Sequence, residues 1–374
     1  MARLAGLIFV IRKSQIMANS FSKEEIVAFD QVFEAFEDAL VVSNLFSKYK
    51  IDGVTAERAM NTIWRPMPYI ALSFTGLDQT SNFARNYTQL AVPTTIGYSH
   101  AVPLTLSATE LRDLLQEQRL GAAALGRLAS DINVDCSNLA ALTGTVFVKR
   151  SAAAVGFDDL AAADSEFNRL GIPMDNRKAV LSSSDYNAMA SNLAVASRSF
   201  GNPISDNALR NAKVGTLANF DTYKLDYAYR LTAAAGSGIT LNASNQYYTP
   251  KAISTAVTGE ISTVDNRYQT VVVTSTTGVK AGDAFTIAGV NSVHHITKAD
   301  TGFLKSFRVS SIVDATHMVI SPPIISGGGG SDAENQYKNV ASTPASTAAI
   351  TFLNTVSAPV NPFWQDDAFE IVPA

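Results

Sequence analysis

Apolar and polar positions change period several times along the chain, and each change predicts a different element. From Ser22 to Phe46 the apolar residues Ile26, Phe29, Val32, Phe33, Phe36 and Leu40 recur at helical spacing, with Glu24, Glu25, Asp30, Glu34, Glu37 and Asp38 between them. This is the pattern of an acidic amphipathic helix, either packed on a core or serving as a docking arm. Residues 51 to 106 mix short strand-like pieces with Pro66, Pro68, Pro93 and Pro103, which predicts an extended loop or hairpin, because proline cannot donate to a ladder. Ser107-Ala-Thr-Glu110 has capping-box spacing, and Leu111, Leu114, Leu115, Leu125, Leu128, Ile132 and Leu139 continue an apolar stripe. A helix over 108 to 143 follows, roughly 54 Å long at ~1.5 Å per residue. Gly121 and Gly126 permit a bend in it and Gly144 a stop.

From Thr145 to Tyr229 short strands, such as Thr145 to Val148 and Ala179 to Leu181, alternate with helical pieces at 158 to 170 and 184 to 197, an α+β pattern. The period then drops to two. Tyr268, Thr270, Val272 and Thr274 alternate with Gln269, Val271 and Val273, a β-branched run suited to a pleated surface. Lys280-Ala-Gly-Asp283 supplies a tight turn, after which Phe285 and Ile287 resume the alternation against Ala284, Thr286 and Ala288. Phe307 to Val313 is a further strand, Asp314-Ala315-Thr316 its hairpin turn, and His317 to Ile320 the return; Pro322-Pro323 ends the ladder. Gly327 to Gly330 with Ser331 is expected to be a flexible surface loop. This β block interrupts a chain that is otherwise Ala-rich and helical, as an inserted module would.

Composition narrows the function classes. With 374 residues, several packed units are expected. Only 17% of residues are charged against 47% hydrophobic, so much uncharged surface must be buried or meet partners. A net charge of -4 argues against a global positive field that grips nucleic acid. Cys136 is the only cysteine, so no intrachain disulfide forms. The run Leu4 to Ile11 is far shorter than the ~18 residues of a membrane span, and no membrane role is expected. Met17 reads as the start and residues 1 to 16 as an upstream extension.

Fragments that imitate catalytic signatures fail on context. Ser20-x-x-Lys23, Ser47-x-x-Lys50 and Ser205-Asp-Asn207 lack the Lys-Thr-Gly element of penicillin-binding enzymes, and Gly327 to Gly330 lacks the lysine and hydroxyl of a phosphate loop. His294-His295 and His317 have no acidic or cysteine partner at ligand spacing, and adjacent strand residues face opposite ways. Asp158-Asp159 reads as a helix N-terminal turn, Asp366-Asp367 as neighbours without a shared target, and Trp64 and Trp364 as core residues. No catalytic, cofactor or metal site is expected.

Asn61-Thr-Ile-Trp64 before Pro66, Val264-Asp-Asn-Arg267, Thr276-Thr-Gly278, Gly282-Asp283, Ala288-Gly-Val290, Val313-Asp314, Thr316-His317 and Phe363-Trp364 with Asp366-Asp367-Ala368 are collinear. In that order they resemble the major coat proteins of short-tailed bacteriophages, the gene-5-type branch with an inserted β-barrel domain. The likeness spans residues 20 to 374 and is strongest after 264. It implies an α+β tailed-phage major capsid fold, Hong Kong 97-like, with axial and peripheral domains, a long spine helix and an inserted antiparallel β-barrel.

The resemblance makes 17–50 an N-terminal arm, 51–106 an extended loop with part of the peripheral domain, and 107–143 the spine helix. Residues 144–228 become the axial domain, 229–355 the insertion domain, and 356–374 a return to the axial domain. It implies a structural protein without turnover chemistry, whose copies form an icosahedral shell enclosing the phage double-stranded DNA without sequence specificity. A scaffolding protein and a portal protein are the further partners, and the location is the virion, with assembly in the host cytoplasm. Asp30 and Glu34 fall where the family's arm meets a basic scaffolding protein, Asn61, Trp64 and Arg65 on the inter-subunit loop, and Glu260 on an insertion-domain hairpin that reaches an adjacent subunit. That hairpin is acidic in relatives, whereas Ser254 to Thr263 carries only Glu260, so an electrostatic contact is not expected there. Relatives also continue past the position of Ala374, which reads as a truncated or complemented product. A nanocompartment shell enclosing protein cargo shares the fold but lacks the insertion. A hydrolase or carbohydrate-binding protein with a β-barrel accessory domain would need a convergent acid/base pair.

Overall fold

The computed structural model describes residues 42–48, 62–74, 76–82, 85–95, 100–103, 114–150, 156–196, 214–366 and 368–372. In chain order its elements are β1 (Ser47–Lys48), β2 (Thr62–Pro66), β3 (Ala91–Thr95), α1 (Leu114–Thr143), α2 (Phe157–Leu170), β4 (Arg177–Ser182), α3 (Ser183–Ala196), β5 (Thr216–Leu217), β6 (Phe220–Leu225) and β7 (Arg230–Leu231). There follow β8 (Ile253–Thr255), β9 (Ile261–Thr263), β10 (Gln269–Val272), β11 (Ala284–Val293), β12 (Asp300–Ile312), β13 (His317–Ser321), α4 (Asp332–Tyr337), β14 (Ile350–Phe352), β15 (Ala358–Pro359), β16 (Phe363–Gln365) and β17 (Glu370–Ile371). The chain divides into a unit of Met1–Ile63, Thr94–Leu139 and Asp366–Ala374, and a unit of Trp64–Pro93 and Ala140–Gln365.

In the first unit β1 runs parallel to β17, with Ser47 opposite Glu370, and Phe46 stacks on Phe369 at 5.1 Å. The α1 face carries Asn133, whose side-chain oxygen accepts from the Val42 amide at 3.1 Å, and Asp135, whose carboxylate meets His100 Nε2 at 2.6 Å. Cys136 is half-buried, and burial followed by Asp135 pushes its thiol up to about 12, which keeps it protonated and unreactive at neutral pH. The described part of α1 has 30 residues, roughly 45 Å at ~1.5 Å per residue. Leu139, counted in the apolar stripe, is 50% exposed, and Ala140 and Ala141 turn inward instead.

The second unit contains two cores. In one, β4 pairs parallel with β6 and antiparallel with β16, giving the order β16-β4-β6-β5, and α2 and α3 cover the sheet with Leu160, Phe167, Met189 and Ala190 against Ala179, Leu181 and Phe220. Its polar centre is Arg177, 1% exposed, which donates to the Pro173 and Ile172 carbonyls and Asn168, pairs with Asp164, and lies over the rings of Phe167 and Phe220. Charge, donors and planar faces are all matched, which is what a buried guanidinium requires. Thr145 to Val148, expected as a strand, joins no sheet. Its backbone is satisfied instead by Ser306, whose hydroxyl accepts from the Phe147 amide at 3.2 Å and donates to the Thr145 carbonyl at 2.8 Å.

The other core belongs to the β block. The chain enters and leaves it through a stem in which β7 pairs antiparallel with β15, Leu231 opposite Ala358. Five antiparallel strands follow in the order β10-β13-β12-β11-β14. The alternation settles as expected for β10, with Val271 and Val273 fully buried and Thr270 and Thr274 outside. Phe285 and Phe307 sit opposite each other with ring centres 5.7 Å apart, and Phe352 closes on Phe285 at 6.1 Å. Burying each large side chain of this core contributes about 1.5–3 kcal/mol. The hydrogen-bonded strands form an open sheet, but residues 239–242 bond to both of its edges. Leu241 N donates to Ala348 O and Ile350 N to Ile239 O on the β14 side; Asn242 N donates to Val272 O and Thr274 N to Thr240 O beside β10.

On the side of β11 expected to be the smaller or more polar one, Ala288 is exposed, whereas Ala284 and Thr286 are buried as well, Ala284 at 0% exposed. The reason is Arg308, opposite Ala284 in the register and 3% exposed. Its Nε donates to Gly144 O at 2.8 Å and its two terminal nitrogens to Gly282 O and Ala141 O, while Phe147 lies 5.1 Å from the guanidinium. An arginine of the β block thereby satisfies one carbonyl of the last turn of α1, Ala141, and the Gly144 carbonyl just past it. Desolvation lowers its pKa to about 10, leaving it charged at neutral pH. The Lys280–Asp283 turn is built for this contact: Gly282 has φ +91, and a Cβ there would meet Leu142.

Arg308→Ala strands these carbonyls and should lower the unfolding free energy by about 2–4 kcal/mol, with Arg308→Lys recovering only part. Urea melts of the subunit read this, and an alanine variant within ~0.5 kcal/mol of wild type would remove Arg308 from the role. At the β12–β13 turn the Thr316 amide and then the His317 ring pull the exposed Asp314 carboxyl down to about 2. A depressed carboxyl stabilises above its unfolded value of ~3.9 and ceases to do so as pH falls through the folded one. The advantage of wild type over Asp314→Asn in denaturant midpoint should hold from pH ~6 to ~4 and shrink below that; an advantage that grows on acidification would contradict the assignment.

Candidate inter-subunit surfaces

Asp30, Glu34 and Asn61 lie outside the described residues. Trp64 and Arg65 lie on β2, Trp64 36% exposed rather than in a core and Arg65 half-buried; the other tryptophan, Trp364 on β16, is buried. Glu260 sits at the end of the turn joining β8 to β9, exposed to solvent. The histidines are engaged in their own turns. Nδ1 of His294 accepts from the Ile296 and Thr297 amides at 3.3 Å, its ring occupies the space beside Gly171, and His317 Nδ1 lies 2.9 Å from the Asp314 carboxylate. Asp159 does cap a helix start, accepting from the Gly156 amide at 3.1 Å and pairing with Arg150 at 2.6 Å. Among the described residues no three metal-ligating side chains come together.

What the geometry does assemble is exposed apolar side chains on two hairpins. β8 and β9 pair only with each other, Ile253 opposite Thr263, Ser254 opposite Ser262 and Thr255 opposite Ile261. Because side chains alternate, Ile253, Thr255, Ile261 and Thr263 share one face and the two serines the other. Ile253 is 56% exposed, Ile261 65%, and Val257 in the turn fully so. A lone two-stranded ribbon is marginal in water, so this face has the character of a surface completed by something else. The sequence signal was present, two β-branched runs of period two flanking Thr258-Gly259-Glu260, but it is short and was overshadowed by the missing acidic residues.

A second ribbon, the β11–β12 hairpin, carries His294, His295, Lys298 and Lys305 around exposed Ile296 and Phe303. Burial lowers Lys298 and Lys305 to about 8, and burial followed by Lys298, His294 and Lys305 lowers His295. The hairpin is held at the end of α2, where the His295 amide donates to Leu170 O at 2.8 Å and Arg169 stacks on Phe303 at 3.8 Å.

The chain is similar to the CUS-3 coat protein I-domain, at 43% identity over 32% of this chain and 99% of that one, with a TM-score of 0.25. It is also similar to a capsid chain of the Cyanophage P-SCSP1u, at 14% identity over 82% of this chain and 86% of that one with a TM-score of 0.32. A chain of Mycobacterium phage Che8 matches at 13% identity over 75% of this chain and 84% of that one, with a TM-score of 0.36. The family model described as "P22 coat protein - gene protein 5" matches residues 17–374. No helix among the described residues is long and apolar enough to cross a membrane. The family match covers nearly the whole chain: the chain belongs to the P22 coat protein family and is a phage major capsid protein.

Proposed function

We propose that copies of this chain close into an icosahedral shell around double-stranded DNA, guided by a scaffolding protein and interrupted by a portal, and that it works by assembly rather than by turnover. The subunit assembles in the host cytoplasm and ends in the virion. The subunit follows the tailed-phage capsid plan, with α1 as spine, the β16-β4-β6-β5 layer as axial domain, and residues 229–355 as an insertion. Residues 239–242, bonded to both edges of the five-stranded sheet, support reading that insertion as a small barrel. A mildly acidic chain suits a container, since a strongly basic lining would hold the packaged genome too tightly for release.

The observation that carries the inter-subunit reading is the apolar face of β8 and β9. Where the family has carboxylates, this ribbon presents Ile253, Val257 and Ile261 with Glu260 as its only charge. The neighbour contact is then hydrophobic and tolerant of salt, because apolar burial is not screened. Trp64 and Arg65 on β2, with Asn61 before them, belong to a second contact, and the acidic arm with Asp30 and Glu34 to the scaffolding protein.

The double variant Ile253→Ser, Ile261→Ser should raise the concentration needed for shell assembly about tenfold and leave subunit melting unchanged, whereas Glu260→Gln has little effect. Light scattering and electron microscopy across a salt series decide this. Wild-type assembly by the isoleucine variant, or a loss confined to Glu260→Gln at low salt, would refute the apolar contact. For the arm, Asp30→Asn with Glu34→Gln should weaken co-assembly with a basic scaffolding protein at low salt, the difference fading toward ~1 M salt where the Debye length is about 3 Å. A difference independent of salt would point to a structural role for these residues instead.

A further inference from the structure

Residues 67–74, 76–82 and 85–90 belong to a strap that carries several exposed apolar side chains. Its base is closed by the Met67 amide donating to Leu90 O at 2.8 Å, and Leu90 is buried with Ile325 and Tyr337 beside Met67, Ile70 and Tyr248. Phe74 and Leu77 farther along, and Tyr69 and Tyr87 on the two limbs, are all exposed, and the bonds around residues 76–82 are local, such as Gln79 Nε2 to Gly76 O at 2.7 Å.

The returning limb of the strap meets one face of the short helix α4. Arg85 pairs with Asp332 at 2.6 Å, and the other Asp332 oxygen accepts from the Asn86 amide at 3.2 Å. One turn further along, Gln336 Oε1 accepts from the Thr88 amide at 3.0 Å, and the Tyr337 hydroxyl donates to Thr88 O at 2.9 Å. Arg85 and then the Asn86 amide hold Asp332 below the usual carboxylate range, so the clasp is ionised at neutral pH.

The orientation of α4 is fixed from its other end. The Gly327 to Gly330 segment, expected to be a flexible loop, is a defined turn in which Gly330 N donates to Gly327 O at 3.1 Å. Ser331 then caps α4 by accepting from the Glu334 amide at 3.1 Å. Glu334, 1% exposed, reaches back to accept from the Gly329 amide at 2.7 Å and from the Thr249 hydroxyl. Gly329 has no room for a side chain, because a Cβ there would run into Glu334 and Tyr247. A six-residue helix has little stability of its own, yet this one is anchored by a buried carboxylate and turns Asp332, Gln336 and Tyr337 together onto the strap.

We propose that α4 is a clip on the strap, through which the β block of residues 229–355 sets the direction in which the strap's apolar part is offered to a second copy of this chain. The clip has a polar rim at Asp332 and a buried hinge at Tyr337, so it can be loosened in steps without unfolding either core. Only the link to a second copy rests on the shell reading; the clip itself does not.

The test uses the full chain as unassembled subunits and reads amide hydrogen exchange. Asp332→Asn and Tyr337→Phe should each speed exchange across residues 67–90 about two- to tenfold, leaving the β10–β13 amides unchanged. Arg85→Asp should do the same, and Arg85→Asp with Asp332→Arg should recover part of the protection. Wild-type strap exchange in both Asp332→Asn and Tyr337→Phe, a double swap no better than its single, or equal acceleration of the β10–β13 core would overturn the clip. In assembly, electron microscopy of Asp332→Asn and Tyr337→Phe should show a broader spread of shell diameters. A wild-type spread despite faster strap exchange would overturn the link to the second copy while upholding the clip.

Discussion

The buried guanidinium of Arg308 is the constraint on which the larger unit depends. A helix that ends at Thr143 leaves its last carbonyls without partners inside the helix. Arg308 donates to the Ala141 carbonyl of the last turn, to the Gly144 carbonyl just past it and to the Gly282 turn at once, and its planar face rests on Phe147. Lysine has the charge but neither the fork nor the face. The contact also fixes register. Arg308 lies opposite Ala284 and Phe307 opposite Phe285, so a slip by one residue would drive the charge into the Phe285 and Phe307 core. The helix end, the tight turn and the sheet are therefore mutually consistent in a single alignment. Asn354 reinforces it from the stem, accepting from the Ala284 amide and donating to Asp283 and the Thr232 carbonyl.

Where local chemistry determines structure, the sequence was readable. Period two in residues 269–274 correctly divided buried valines from exposed threonines, and the Asp314 turn formed because its carboxylate bonds the amides of Thr316 and His317. It failed where a distant segment covers a face. Ala284 and Thr286 are the smaller or more polar side of the β11 alternation, and nothing nearby in the sequence indicates that Arg308 would lie opposite Ala284 and help bury it. Leu139 looked like part of a stripe because a helical wheel does not know that small alanines suit the closer approach. The four glycines at 327–330 looked like a linker, although Ser331 and Glu334 at capping spacing were already there to be seen.

The inter-subunit residues were less legible for a physical reason. A catalytic site concentrates unusual residue types, whereas an assembly contact uses ordinary apolar ones whose only distinction is that they are left uncovered. Ile253 and Ile261 differ from core isoleucines in exposure alone, which becomes visible only once β8 and β9 are seen to pair with no further strand. Charge would have marked the ribbon in the sequence, but Glu260 is all it carries.

That economy is itself suited to a shell. Two isoleucines buried across a contact stabilise it by about 3–6 kcal/mol at most, before the cost of immobilising the partner, so a pair of subunits joined this way would separate readily. Separation is what allows a misplaced subunit to leave a growing shell. Once many such contacts close on one another, each subunit is held through several at once, and loss requires breaking them together. The energies divide accordingly. The permanent structure is placed inside the subunit, in the Phe285 core and the Arg308 and Arg177 hubs, where polar groups are fully matched. On the proposed reading the contacts left for neighbours are shallow, apolar and individually weak, and a strap whose direction is set by the proposed clip can be adjusted without disturbing those cores.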